Sequence, residues 1–376
     1  MVKSAGLLPL LLLCRLILPA PVRGAGVVDP DTSSSPGIPV LCYHQFDAAS
    51  RSPYAISPEK LRSQLNLLKK KGYTPISLSR LVDLLQGKPV TMPKRPVVIT
   101  VDDGHQSLYT VGYPMIFREY GFPFTAFIYT DIVGHTKSAV SWAEVEEMAA
   151  AGVDIQGHTK SHPPLTRRNL GEIEESYRAR IQRELVESKQ VLETHIHQPV
   201  ICLAYPYGLF DEYVEQSVKA AGYLAALTCN SGNNSSATNP YHIDRRMVGR
   251  QLSLERFASL LEILPLDIVD LVPAEGEVVY AKPEVFSARI LNLDRVVSSS
   301  IRFHVAGPDG ITPVIDLKTG YAFCRAPKPL SRRVHEVAIT ARDRLTGEPR
   351  QASWIFFIRS PKEAVPVPRT EAAEGE

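Results

Sequence analysis

Val97-Val98-Ile99-Thr100-Val101-Asp102-Asp103-Gly104 decides how this chain is read. Five β-branched residues in a row, with no polar alternation, describe a strand buried on both faces, as in a parallel sheet. The run stops at two carboxylates and a glycine, and parallel α/β folds build their sites at the carboxyl ends of their strands. Working outward, the same texture recurs. Strands are expected at Ile38–Tyr43, Tyr73–Ile76, Phe124–Tyr129, Val153–Ile155, Val200–Ala204 and Tyr223–Thr228. Helices lie between them: one opens at Ser57-Pro58-Glu59 with Leu61, Leu65 and Leu68 on one face, and another at the capping box Ser141-x-x-Glu144. Strand and helix alternating over some two hundred residues predicts a parallel α/β sheet, open or closed as a barrel.

Past Leu264 the pattern changes to alternating segments such as Ile301–Val305, Val337–Thr340 and Trp354–Phe357, separated by glycine turns. These predict a small antiparallel β-sandwich. The expected organisation is a leader at 1–24, a linker at 25–37, the α/β unit at 38–263, an Ig-like β-sandwich at 264–360 and a flexible tail at 361–376. The leader combines Lys3, an apolar stretch from Leu7 to Leu18 broken by Arg15, and small residues near Gly24. That is a secretory signal, which places the protein in the periplasm or medium; a retained membrane anchor is the competing reading. Cys42, Cys202, Cys229 and Cys324 are too widely spaced for a zinc knuckle and are read as buried free thiols. With 42 Lys+Arg against 40 Asp+Glu and no basic run, nucleic acid is not an expected partner.

Four polar clusters fall at strand ends: Tyr43-His44, Asp102-Asp103, His158-x-x-x-His162 and Tyr205-Pro206-Tyr207-Gly208. Adjacent carboxylates repel, and a cation between them relieves the repulsion. Two histidines spaced i, i+4 can grip a divalent metal, and a carboxylate completes a three-ligand site. Alone, each cluster has a bland alternative as surface turn chemistry. The Tyr207 amide, after a rigid proline and before a permissive glycine, can point into a site.

Taken in order and at this separation, these motifs resemble those of the polysaccharide deacetylases of the NodB-homology type, carbohydrate esterase family 4. The opening Pro39-Val40-Leu41-Cys42-Tyr43-His44 resembles the branch of exported poly-N-acetylglucosamine deacetylases. The resemblance covers roughly residues 38–260. It implies a distorted seven-stranded (β/α) barrel and a hydrolase that removes acetyl groups from an acetylated polysaccharide. By position it implies Asp103, His158 and His162 as ligands of one divalent metal ion, zinc, and Asp102 as the base for the metal-activated water. Tyr207 would stabilise the oxyanion, with Tyr205 and Pro206 against substrate.

Two departures matter most. No arginine flanks Leu203-Ala204-Tyr205 to orient the base, and the late Leu-x-x-His motif that supplies an acid is not recognisable after Arg250. His44 is the candidate replacement, with a structural role nearly as well supported and His242 a third option. A non-catalytic glycan-binding protein on the same barrel and a glycoside hydrolase using Asp102 are the rival functions.

Overall fold

The computed structural model describes residues 37–305, 309–326, 330 and 332–360. The expected leader, nearly all of the linker and the tail lie outside the described residues. Seven strands form one parallel sheet: β1 (Val40–Tyr43), β2 (Pro96–Asp102), β3 (Thr125–Ile128), β4 (Asp154–Gly157), β5 (Cys202–Ala204), β6 (Ala225–Leu227) and β7 (Arg246–Met247). Their order is β7-β1-β2-β3-β4-β5-β6. The chain between β6 and β7 crosses the remaining gap, with Ile243 bridging Leu227 in parallel. Parallel neighbours require crossovers, and these are α1 (Pro58–Lys70) and α2 (Leu78–Leu85), then α3 (Trp142–Ala150), α4 (Glu174–Ile196) and α5 (Glu212–Ala220), with α6 (Leu254–Leu261) after β7. The arrangement is the distorted barrel that the sequence predicts.

Side-chain parity along β2 explains where the site falls. All seven of its residues are buried. Val97, Ile99 and Val101 pack outward among Leu61, Leu65 and Ile116, whereas Val98 packs inward with Val40, Phe127, Ala204 and Leu227. Alternation then turns Thr100 and Asp102 to the inner face, and in β1 it does the same for Cys42 and His44. The barrel interior is apolar until its carboxyl end, where the polar side chains begin.

Local chemistry matches much of the reading. The box at Ser141 forms in full, with Ser141 N donating to Glu144 at 2.7 Å. Three elements differ. Tyr73–Ile76 shrinks to Thr74–Pro75, which pairs only with the start of β2. The helix after Asp102-Asp103-Gly104 is a π-helical segment, Leu108–Glu119, and Pro114 inside it has no N–H for a regular α-helical ladder. The final parallel strand, β7, has only two residues, too few for a periodicity signal.

Beyond the barrel come two mainly antiparallel sheets, one of which also takes Leu264–Pro265 and Val278–Val279 in parallel. Val285–Ile290 (β8) pairs with Tyr321–Arg325 (β9), and Val334–Arg342 (β10) pairs with Pro349–Ile358 (β11). Phe286, Phe303, Val337, Ile339, Trp354 and Phe356 fill the space between them. These sheets are tied to the barrel by polar contacts: Arg246 Nη1 donates to Gln351 at 3.1 Å, and Ser231 N donates to Ser353 Oγ at 2.9 Å. His242 spans the same junction, one ring nitrogen 2.9 Å from Glu215 of α5 and the other 2.7 Å from Glu275. Among the described residues no helix is long and apolar enough to cross a membrane.

Two outcomes follow from this packing. Trp354 is fully buried and donates its indole N–H to the Pro273 carbonyl at 2.9 Å. Trp354→Ala is therefore expected to cost about 3–5 kcal/mol, and Trp354→Phe about 1–3, in guanidinium unfolding. Burial alone would push His242 down, but Glu215 and Glu275 outweigh it and raise it to about 9. Lys219, which pairs with Glu215, and the half-buried Asp244 complete its charged surroundings. A raised folded pKa contributes stability that is present below the unfolded value of about 6.5 and is lost as pH climbs through the folded one. The stability gap between the wild type and His242→Gln should thus be widest near about pH 6 and close by about pH 10. A gap that stays constant across that range would show that the clamp is not titrating.

Candidate metal centre and the carboxylate beside it

The carboxyl end of β2 places two successive carboxylates by different means. Asp102 is the last strand residue and faces inward. Asp103 follows with φ 77°, a left-handed conformation that turns its side chain toward the same cleft instead of the opposite face. Gly104, also left-handed, lets the chain leave.

The histidine pair comes from the loop after β4. His158 is buried, and its Nδ1 lies 2.7 Å from the Ala204 carbonyl at the end of β5. A carbonyl only accepts, so Nδ1 carries a proton, and Nε2 is the ring nitrogen that faces the cleft. His162 returns to the same point because the loop is tightly wound: Thr159 and His162 both have positive φ, and His162 N donates to Thr159 Oγ1 at 3.1 Å. Glu184 of α4 holds that turn from beneath. Its carboxylate accepts from Lys160 N at 2.9 Å, Ser161 N at 2.8 Å and Ser161 Oγ at 2.6 Å.

The result is a convergence of three ligand atoms. His158 Nε2 and His162 Nε2 are 3.1 Å apart, and Asp103 Oδ1 is 3.5 Å from the first and 3.6 Å from the second. Burial, helped by His158, pushes His162 down to about 4, which keeps it neutral. Burial opposes the charge on Asp103, but His105 and His158 hold it far below the usual carboxylate range. One ionised carboxylate with two imidazoles is the donor set of a divalent metal with open positions, so these residues fit such an ion. Strained backbone at Asp103, Thr159 and His162 together is the pattern of a functional site.

Asp102 is held differently. It is 1% exposed, as is Arg245, whose Nη1 donates to Asp102 Oδ2 at 2.6 Å. Arg245 Nε is fixed by the Thr228 carbonyl at 2.7 Å. Burial alone would raise Asp102, but Arg245 first, then His158 and His44, keep it below its ordinary value. Oδ1 of Asp102 is buried with no hydrogen-bond partner. Arg245 was not singled out from the sequence. It stands in Ile243-Asp244-Arg245-Arg246, 143 residues from Asp102, and only the pairing of β7 with β1 brings it there. His105, with Nε2 3.7 Å from Asp103 Oδ2, was also missed, although it directly follows the Asp-Asp-Gly turn.

The other expected residues divide. His44 sits just past β1, its ring stacked 5.0 Å from Tyr54 and its buried Nδ1 without a partner. Burial lowers its pKa, against the pull of Asp102 and Asp103. Tyr207 has φ 60° and is 59% exposed, its ring edge-on to His162 at 4.8 Å. Gly208 beside it cannot be replaced cheaply, since a Cβ would meet Cys229 N at 2.4 Å. Tyr205 and Pro206, expected against substrate, are buried instead; Tyr205 stacks on Phe210 at 4.9 Å and forms the wall behind the turn. His242 is occupied on both ring nitrogens by carboxylates at the sheet junction.

Comparison with known proteins gives concordant findings. The family model for polysaccharide deacetylase matches residues 90–226, which contain Asp102, Asp103, both histidines and the Tyr205 turn. The chain is similar to a poly-beta-1,6-N-acetyl-D-glucosamine N-deacetylase of Staphylococcus aureus, with 28% identity over 200 residues, 52% of this chain and 68% of that protein. Its structure is similar to the Streptococcus pyogenes deacetylase PplD in complex with acetate, with a TM-score of 0.54 and 25% identity over 60% of this chain and 99% of that one. IcaB from Ammonifex degensii gives the same TM-score and identity, covering 60% of this chain and 97% of its own. The fold is thus shared with these deacetylases, and residues 90–226 of the chain carry a polysaccharide deacetylase domain.

Proposed function

We propose that the protein is a metal-dependent hydrolase that removes N-acetyl groups from an extracellular polysaccharide of N-acetylated sugars. The observation that carries this reading is the convergence of Asp103, His158 and His162 beside a buried, arginine-tethered carboxylate. The name of the staphylococcal relative supports a poly-N-acetylglucosamine as the polymer. The apolar segment Leu7–Leu18 supports export, and the sheets after Leu264 are read as an Ig-like accessory domain.

In this reading Asp103, His158 and His162 hold one divalent ion, zinc, which when bound supplies Lewis-acid polarisation of the acetyl carbonyl and of the attacking water. Asp102 takes the proton that water gives up. Arg245 keeps it ionised for that purpose and leaves Oδ1 free to accept. The Tyr207 amide, in its left-handed turn, donates to the oxyanion as the carbonyl carbon becomes tetrahedral. His44 protonates the sugar nitrogen as the C–N bond breaks, releasing acetate and a free amine. A glycosidase would need one carboxyl group protonated as its acid. Here Asp102 is tied to Arg245 and Asp103 to the histidines, and both are held ionised, which favours deacetylation.

Acetate release from N-acetylglucosamine oligomers, with and without chelator, tests the reading; full activity in chelator would sink it. Metal content should fall sharply in His158→Ala and His162→Ala with circular dichroism unchanged. Asp102→Asn should keep the metal and lose about 10²–10⁴ in turnover, the usual worth of general-base assistance. Near-normal turnover would reassign the base.

His44→Ala separates acid catalysis from positioning. An amine leaves poorly unless protonated, whereas a good alkoxide or phenolate leaving group needs no proton. The variant should lose far more activity on N-acetyl substrates than on activated acetyl esters. Equal losses on both would assign His44 to a structural role.

A further inference from the structure

A second group of metal-capable side chains lies on the inner face of the barrel beside the first. Cys42 of β1, His44 just beyond it and Asp102 of β2 each offer a ligand atom, and these atoms lie within 4.8 Å of one another. Strand parity puts them there: residues 42 and 44 share one face of β1, and β1 runs beside β2 with Cys42 opposite Thr100. Cys42 Sγ is 3.5 Å from Asp102 Oδ2. Two buried atoms of the group, Asp102 Oδ1 and His44 Nδ1, have no hydrogen-bond partner. Unpaired polar atoms in a dry interior are costly and available to a ligand.

We propose that Cys42, His44 and Asp102 form a second, inhibitory site for a thiophilic divalent cation of the zinc or cadmium class. The donor set selects the ion. One sulfur, one imidazole nitrogen and one carboxylate oxygen suit zinc and its heavier congener, while magnesium and calcium require an oxygen cage. The charge balance sets the order of filling. Asp102 is already paired with Arg245, and the buried thiol must release its proton to the solvent before sulfur can bind. The Asp103, His158 and His162 cluster has neither an arginine partner nor a thiol, so the second site fills only when metal exceeds one equivalent per chain.

The inhibitory consequence rests on the function proposed above, in which Asp102 is the base and His44 the acid. A cation bridging them occupies both lone pairs at once. Binding itself does not depend on that assignment, so the two are tested separately.

Full-length protein loaded with one equivalent of Zn²⁺ is titrated with Co²⁺, and the thiolate-to-cobalt charge-transfer band in the near ultraviolet is read together with bound metal. The wild type should bind a further equivalent and show the band. Cys42→Ser and Cys42→Ala should retain the first zinc, which reports a folded barrel, but lose the band; Cys229→Ser should keep it. No band in the wild type, or a band surviving both Cys42 variants, overturns the site. For inhibition, acetate release is measured as the ratio of rates with and without excess Zn²⁺ within each protein. Loss of even an outer-shell partner typically costs about 10–100-fold in metal affinity, so Cys42→Ser should raise the half-inhibitory zinc concentration by at least about tenfold. A band with undiminished acetate release would overturn the shutdown and the base and acid assignments, while the binding site would stand.

Discussion

Arg245 and Asp102 meet at 2.6 Å with each only 1% exposed, and the site is organised around that contact. Removing two charges from water costs several kcal/mol per ion, which the pair offsets only through close geometry and further hydrogen bonds. Arg245 gains one such bond from the Thr228 carbonyl, just past β6, and reaches Asp102 at the end of β2. A single side chain therefore ties the last part of the barrel to its middle. It also fixes which carboxylate of the adjacent pair is anchored by an arginine and which is left to the histidines.

That division gives two chemically similar neighbours different characters. Asp102 and Asp103 differ by one position, yet strand geometry sends one into the barrel and a positive φ turns the other into the cleft mouth. Their partners then hold both ionised for separate reasons, a guanidinium in one case and imidazoles in the other. Two carboxylates this close would otherwise share a proton.

The fold was legible where the signal is local and repeated. The β-branched run of β2, the helix at Ser57 and the box at Ser141 each carry their own chemistry, and each forms where it was expected. The cluster of Asp103, His158 and His162 was legible because its members sit at strand ends with recognisable spacing. Arg245 was not, since nothing near it in sequence predicts a partner 143 residues away, and β7 is too short to announce itself. The burial of Tyr205 was not legible for a related reason. An aromatic at a turn reads as a contact residue, but whether its ring faces ligand or core depends on Phe210, five positions later.

The Glu184 clamp bears on whether such a motif can be moved. The five residues from His158 to His162 look like a portable cassette, but their winding is imposed by a carboxylate on α4 that accepts two backbone amides and a hydroxyl. Copied alone onto another scaffold, the pentapeptide would carry its imidazoles without the support that aims them. The smallest transplantable unit is the loop together with the middle of α4 and the end of β5, whose Ala204 carbonyl sets the His158 tautomer. Lineages that borrow this chemistry must inherit a piece of tertiary structure, and designers copying it face the same minimum.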